Sequence, residues 1–367
     1  MRPPAPARVL AFDILRKVES GGYASDLLLE RGVGLDSRDA GLATEIVFGV
    51  LRYRAQLDYL IGRYLGRERK LDPEVRLALR MGVYQLRYLE RVPAHAAVGE
   101  SVELVRRARK NSAAGLVNAI LRKAAANRED KIDWLSREIA LSCPEWLLAR
   151  WERHYGAAAA EGIARAALEE PAKHRHGERF QDIGSETIVP LLEIEPGQTV
   201  LDLCAAPGNK TAQAVEAGAR AIAADLHFHR ITQVRGITDA LVQLDATRPL
   251  PFGSRFERVL VDAPCSGTGT LARNPEIKWR LKPEDLADLA GRQRAILANA
   301  LAVLAPGGRL VYATCSLEPE ENRAVVDEAV ARAPEMRIVA NYERLPGRDP
   351  GDGFLAAVIK SELPPNA

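Results

Sequence analysis

Val200-Leu-Asp-Leu-Cys-Ala-Ala-Pro-Gly-Asn-Lys-Thr211 is the stretch on which the fold of this chain turns. An apolar strand runs into a loop of small residues, and a helix follows. Ala205, Ala206 and Gly208 let a ligand come close to the backbone, and the first amides of the helix have no partner within it. A ligand therefore belongs at this turn. The spacing is not GxGxxG, and Lys210-Thr211 lacks the first glycine and the spacing of a phosphate-binding loop. Nicotinamide and nucleoside-triphosphate readings both weaken.

Downstream of this stretch, and just around it, short β-rich runs alternate with helical segments. Strands are expected at Thr199–Cys204, Arg220–Asp225, Ala240–Leu244, Arg258–Asp262, Arg309–Thr314, Arg337–Ala340 and Phe354–Lys360. That alternation predicts a Rossmann-like α/β domain on a parallel sheet with crossover helices. Asp225, Asp245 and Asp262 end three successive strands and line the carboxyl edge, where open α/β sheets bind ligands. Asp225 stands 17 residues after Gly208 (225 − 208), near the distance at which an acid grips ribose hydroxyls.

Two further stretches carry chemistry: Val261-Asp-Ala-Pro-Cys-Ser-Gly-Thr-Gly-Thr270 and Tyr312-Ala-Thr-Cys-Ser-Leu-Glu-Pro-Glu-Glu-Asn322. Each sets a cysteine just past an apolar strand, on the edge that carries the acids. Cys265 and Cys315 are thus expected to converge on one cleft, at loop positions where packing does not demand sulfur and where a thiol pKa can be lowered. Cys143 and Cys204 read as small buried hydrophobes. The four cysteines form no CxxC pair, so neither a disulfide framework nor a zinc cage is indicated. His174-x-His176 and His227-x-His229 lack a third ligand nearby and read as polar surface, so no metal is expected.

Toward the N-terminus the period changes. From Ala7 to about Asn127 apolar residues recur at helical spacing, for example Ile46, Val47, Val50 and Leu51, then Leu77, Leu79, Met81 and Val83. Breaks at Gly21-Gly22, Gly66 and Pro93 divide this region into the helices of an all-α bundle. Residues 1–135 hold 24 Lys+Arg against 17 Asp+Glu, net +7, whereas 136–367 hold 27 against 32, net −5. The basic half is the candidate nucleic-acid binder, although solvated basic helix faces carry similar charge. Helices continue through 128–170, and Pro171–Arg179 is a polar stretch that marks the boundary. The expected organisation is a helical domain over 1–130, a helical linker with a shortened RNA-binding subdomain over 131–180, and the α/β domain over 181–367.

At 367 residues, 47% hydrophobic and 27% charged, the chain can bury sizeable cores, and the mix excludes disordered and collagen-like classes. No apolar run approaches the roughly 18–20 residues of a membrane span, and Met1–Lys17 lacks a signal-peptide core. A cytoplasmic protein without membrane association is expected.

DLCAAPGNKT (Asp202–Thr211), DAPCSGTG (Asp262–Gly269) and TCSLEPEEN (Thr314–Asn322) resemble, in order, three signature motifs of RNA cytosine-5 methyltransferases that use S-adenosyl-L-methionine. Arg38–Arg52 and Val117–Arg122 are similar to stretches of NusB-like domains. The pairing resembles the RsmB/Sun (Fmu) family, which methylates a cytosine of small-subunit ribosomal RNA. The resemblance implies a Rossmann-like methyltransferase domain preceded by an all-α NusB-like domain, S-adenosyl-L-methionine as cofactor, ribosomal RNA as partner and a monomeric enzyme. It further implies that Cys204, Ala205, Ala206, Pro207, Gly208, Asn209 and Lys210 surround the methionine part of the cofactor. Asp225 would hold the ribose, Arg230 and Asp245 would join the cofactor site, and Asp262 would lie between cofactor and base. Cys315 would be the nucleophile at C6 of the cytosine and Cys265 would assist release.

Two departures from the family stand out. Asn209 replaces a glycine, at a position where asparagine tolerates left-handed geometry. Pro171–Phe180 is all that remains of a longer α/β subdomain. Two rivals stay open at this point: a transfer-RNA cytosine-5 methyltransferase with the same chemistry, and a non-catalytic RNA-binding factor of ribosome assembly.

Overall fold

The computed structural model describes residues 4–66, 70–177, 179–253 and 255–362. In chain order the helices are α1 (Pro6–Glu19), α2 (Ala24–Arg31), α3 (Ser37–Arg52), α4 (Arg54–Leu65), α5 (Pro73–Tyr88), α6 (Ala94–Arg107), α7 (Ala114–Ala126), α8 (Arg137–Ala140), α9 (Glu145–Tyr155), α10 (Ala157–Ala166), α11 (Ile183–Glu186), α12 (Asn209–Glu216), α13 (Phe228–Ile231), α14 (Ile277–Arg280), α15 (Asp285–Ala302) and α16 (Arg323–Ala331). The strands are β1 (Arg175–His176), β2 (Arg179–Phe180), β3 (Thr199–Asp202), β4 (Arg220–Asp225), β5 (Leu241–Gln243), β6 (Phe256–Asp262), β7 (Leu304–Thr314), β8 (Met336–Arg344) and β9 (Phe354–Ser361). The chain divides into two compact units, Met1–Glu170 with Ala272–Arg280, and Pro171–Leu271 with Leu281–Ala367.

The first unit is helical. Pro73 opens α5 at a position that needs no amide hydrogen, and its apolar positions from Val75 to Leu86 are buried on nearly every side. That burial requires close neighbours. A Cβ at Gly82 would stand 2.6 Å from Leu121, and one at Gly49 would fall into the Tyr84 ring at 1.8 Å, so α3 and α7 pack tightly against α5. Arg80, 3% exposed, is neutralised by both carboxylate oxygens of Asp58 at 2.7 Å and by Glu19 at 3.0 Å. Residues 127–136 are not helical, which corrects the expectation that helix runs straight through 128–170.

Segment Ala272–Arg280 completes this unit. Lys278 Nζ and Trp279 Nε1 donate to the carbonyls of Arg52 and Leu51 at 3.0 and 2.6 Å, which supplies partners to the open C-terminal end of α3. Arg52 answers with a bond to the Ala272 carbonyl at 2.9 Å, and Glu276 accepts from the first amide of α2 at 2.9 Å.

The second unit is built on a seven-stranded sheet of order β5-β4-β3-β6-β7-β9-β8. The first five strands are parallel, as the alternating pattern predicts, but β9 inserts antiparallel between β7 and β8. Strand order reverses between β3 and β6, and their carboxyl ends flank the crevice in which doubly wound sheets bind ligands. β1 and β2 pair as a two-residue antiparallel ladder within Pro171–Phe180.

Candidate active site

The loop after β3 is held from both sides. Asp225, buried at the end of β4, accepts from the Ala206 amide at 3.4 Å and the His227 amide at 3.0 Å, while Arg230 donates to the Ala206 carbonyl at 3.1 Å. Ala205 and Ala206 are buried, and the Ala206–Pro207 bond is cis. Gly208 caps α12 at φ +110°, where a Cβ would sit 2.8 Å from Ile237. The left-handed residue of the turn is therefore Gly208. Asn209 is the first residue of α12 and donates to the Phe180 carbonyl at 3.3 Å, so the substitution of glycine there needs no unusual backbone. The result is a narrow cradle of backbone with a carboxylate at its far wall, which fits a small ligand carrying hydroxyls and an amino group.

Lys210, in the first turn of α12, is turned inward. It is 9% exposed and its Nζ lies 2.6 Å from Asp262 Oδ2 and 5.4 Å from the Phe354 ring centroid. Burial opposes its charge, but the Asp262 carboxylate outweighs burial and raises its pKa. Asp202, at the end of β3, is 1% exposed; burial pushes its carboxyl up to about 7 even though Thr211 Oγ1 donates to it at 2.7 Å. Burial likewise raises the Cys204 thiol, with Asp202, Asp262 and Asp225 adding to the effect. These groups form one electrostatic cluster at the carboxyl ends of β3, β4 and β6.

Two thiols meet beside it. Cys265 Sγ and Cys315 Sγ are 3.3 Å apart, and the hydrogen bond to Cys315, together with burial, holds the Cys265 pKa above its ordinary value. Their loops are knitted by backbone: the Gly269 amide donates to the Cys315 carbonyl at 2.9 Å and the Gly353 amide to the Gly269 carbonyl at 2.8 Å. A Cβ at Gly269 would stand 2.4 Å from the Gly353 oxygen, so only glycine allows this approach. Beneath them Glu321, fully buried, accepts from the Ser266 amide at 2.8 Å, Gln293 Nε2 at 2.9 Å and the Ser316 hydroxyl at 2.5 Å. Asn322 bridges the Ser316 and Glu318 carbonyls at 2.9 and 3.0 Å.

Asp245 stands apart from this cluster. It lies two residues beyond β5 and turns onto its own loop, accepting from the Thr247 amide at 3.0 Å and hydroxyl at 2.6 Å, bonds that lower its pKa. His174 and His176 both bond Glu186, and His176 also reaches Glu216 at 3.1 Å. Among the described residues no group of three His, Cys, Asp or Glu is arranged to hold a metal ion, and no helix is long and apolar enough to cross a membrane. Cys143 is buried in the first unit, and burial pushes its thiol up to about 12.

Asp202, Glu321, Gln293 and Phe354 contribute to the site without being singled out by sequence reasoning. Asp202 and Glu321 lie inside the quoted motifs. Gln293 interrupts the apolar face of α15 formed by Leu286, Ala290, Ile296 and Leu297, and a polar residue on a buried stripe is the signal that could have found it.

Residues 189–359 match the family described as 16S rRNA methyltransferase RsmB/F, and residues 5–126 match the NusB family. The chain is 36% identical to ribosomal RNA small subunit methyltransferase B of Thermus thermophilus over 92% of this chain and 90% of that protein. It is 34% identical to the protein of the same name from Pseudomonas putida, over 83% and 84%. The alignment with the Erwinia tasmaniensis protein of that name, 30% identical, spans 427 positions against 367 residues here, so at least 60 (427 − 367) of its positions have no counterpart in this chain. Among solved structures the fold is similar to that of PH0851, at TM-score 0.77 and 21% identity over 98% of this chain and 100% of that chain. It is also similar to that of a methyltransferase homolog protein from Pyrococcus horikoshii, at TM-score 0.51 and 22% identity over 61% of this chain and 97% of that chain.

Proposed function

Since the chain belongs to the RsmB/F family of 16S rRNA methyltransferases, we propose that it transfers a methyl group from S-adenosyl-L-methionine to C5 of a cytosine in small-subunit ribosomal RNA. The observation that carries the chemistry is the 3.3 Å approach of Cys265 and Cys315 at the mouth of the Gly208 cradle's sheet edge.

The cofactor supplies an electrophilic methyl group. Ala205 to Lys210 and Asp225 would hold it, with Arg230 bracing the loop through the Ala206 carbonyl; Asp245 is committed to its own turn and has the smallest share. Cytosine C5 is a poor nucleophile, so a thiolate first adds to C6 and makes C5 electron-rich. Cys315 forms that bond. Asp262, paired with Lys210, would support protonation at N3 and ease the addition. After transfer the C5 proton passes to a water molecule acting as base, the electron pair of its C–H bond closes the ring double bond, and the Cys315–C6 bond breaks with its electron pair on sulfur. Cys265, kept protonated by its bond to Cys315 and by burial, stands ready to hand a proton to the departing thiolate.

An rRNA substrate implies a cytoplasmic enzyme, and we expect it to work as a monomer. The test is transfer of radiolabelled methyl from S-adenosyl-L-methionine to unmethylated 16S rRNA and, separately, to total tRNA, with the product nucleoside identified. Labelled 5-methylcytosine in the rRNA alone is expected. Label in tRNA alone would move the substrate to transfer RNA, and no label in either, with cofactor still bound, would favour a non-catalytic assembly factor.

A further inference from the structure

The first unit holds a cleft of about 630 Å³ that the reaction above does not use. It lies between the C-terminal ends of α1 and α3 and the first turns of α4 and α5, and every residue lining it belongs to that unit. Its size is within the roughly 300–1,000 Å³ of ligand clefts. Its charge is one-sided. Arg80 is spent on Asp58 and Glu19, and Glu276 gives one carboxylate oxygen to the Ala24 amide while the other is buried without a partner among the described residues. Arg54, Lys70 and Arg76 line the same walls and make no ion pair among the described residues. Arg54 is crowded further: burial first, and then the neighbouring Arg80, lowers its pKa, and the charges of Asp58 and Glu19 offset this only in part.

The wall also carries an aromatic plate. Trp279 is tied by its indole N–H to the Leu51 carbonyl, which restrains its ring, and the Arg54 guanidinium and the Lys278 ammonium stand 5.4 and 5.3 Å from the ring centroid. A bare inorganic anion would need only the cations. A restrained indole beside guanidinium groups that make no ion pair among the described residues matches a phosphate joined to a planar base, the pattern by which proteins grip unpaired nucleic acid.

We propose that this cleft seats an unpaired nucleotide of the RNA substrate, with its base against Trp279 and its phosphates against Arg54, Arg76 and Lys70. The proposal rests on the reading that RNA is the substrate and names where the helical unit holds it.

The test uses the full chain and a fluorescein-labelled single-stranded RNA octamer, followed by anisotropy at several salt concentrations, with thermal melting to confirm folding. Arg54→Gln and Trp279→Leu should each weaken binding about tenfold, since a base stacked on an aromatic ring contributes roughly 1–3 kcal/mol. Arg76→Gln should reduce the slope of log affinity against log salt by about one, the share of one phosphate contact, and Trp279→Leu should leave the slope unchanged. An abasic octamer should separate the parts: Trp279→Leu is expected to bind it as wild type does, and Arg54→Gln to lose affinity. Trp279→Phe keeps a ring while losing the bond to Leu51, so it serves if the leucine variant does not fold, and it should retain most of the affinity. In methyl transfer the Arg54→Gln loss should fall on KM for RNA rather than on kcat. Folded variants that bind the octamer as wild type does, in an enzyme that methylates RNA, overturn the cleft and leave the function standing. Weakened binding in an enzyme that methylates no RNA supports the cleft and overturns the function.

Discussion

The site depends on a few side chains whose protonation is set by their neighbours. Cys315 carries the bond to the base, so Cys315→Ala should abolish methyl transfer while cofactor affinity, measured by calorimetry, changes little. Cys265→Ala should still form that bond and fail to release it, leaving a covalent protein–RNA adduct on a denaturing gel; turnover at the wild-type rate without adduct would remove Cys265 from the release step. Asp202 offers a test in which burial is the largest cause and the Asp262 charge adds to it. Its carboxyl ionises near its ordinary 3.8 in the unfolded chain and near 7 in the folded one, so the unfolded state gains charge first and stability falls as pH rises through that window, levelling off above it. Asp202→Asn removes the penalty. Relative to wild type the variant should gain roughly 3 kcal/mol between pH 5 and pH 8, two pH units at about 1.4 kcal/mol each, in denaturant titrations at both values. A constant difference across that range would show that the carboxyl is ionised throughout.

Among the elements, the loop after β7 does most to bring the thiols together. Glu321 anchors it by taking three hydrogen bonds, one from the loop that carries Cys265, one from α15 and one from its own loop. Bonds to a charged acceptor contribute about 1.5–3 kcal/mol each. Glu321→Gln turns one acceptor into a donor facing donors, and should cost about 2 kcal/mol in stability and slow single-turnover methyl transfer, with cofactor affinity nearly unchanged. A variant with the wild-type melting temperature and rate would show that the loops are held by the Gly269–Cys315 and Gly353–Gly269 backbone bonds instead. The motif Thr314–Asn322 was legible as a site because of its cysteine; its glutamate and asparagine were legible only as polar letters, since their partners lie on other elements.

At the scale of the molecule, charge and connectivity divide the work. The helical N-terminal part has a net positive charge and the remainder a net negative one, so RNA attraction is concentrated in the first unit and should be screened by salt. Methylation at subsaturating rRNA should fall steeply as ionic strength rises from 50 to 200 mM, by on the order of tenfold or more if several phosphates are contacted, while the rate at saturating rRNA changes little; equal sensitivity of both would place the salt effect on the chemical step. The chain also lends Ala272–Arg280 to the helical unit between two stretches of the sheet unit. Nothing in its local composition announces this, because Lys278 and Trp279 find their partners more than 200 residues away, at the end of α3.

Sequence by itself determined the alternation of strands and helices, the strand-end positions of Asp225, Asp262, Cys265 and Cys315, and the small-residue turn, because each follows from periodicity and backbone freedom within a few residues. Tertiary structure alone decided which of these groups meet. The thiols are 50 residues apart in the chain and meet because β6 and β7 pair in parallel with Asp262 opposite Ala313. Lys210 reaches Asp262 because β3 lies beside β6. Asp245 lies two residues beyond β5 rather than at a strand end, and its own turn satisfies it. The antiparallel entry of β9 between β7 and β8 was equally hidden, since strand direction is set by pairing with distant partners and leaves no mark on the period of the strand itself.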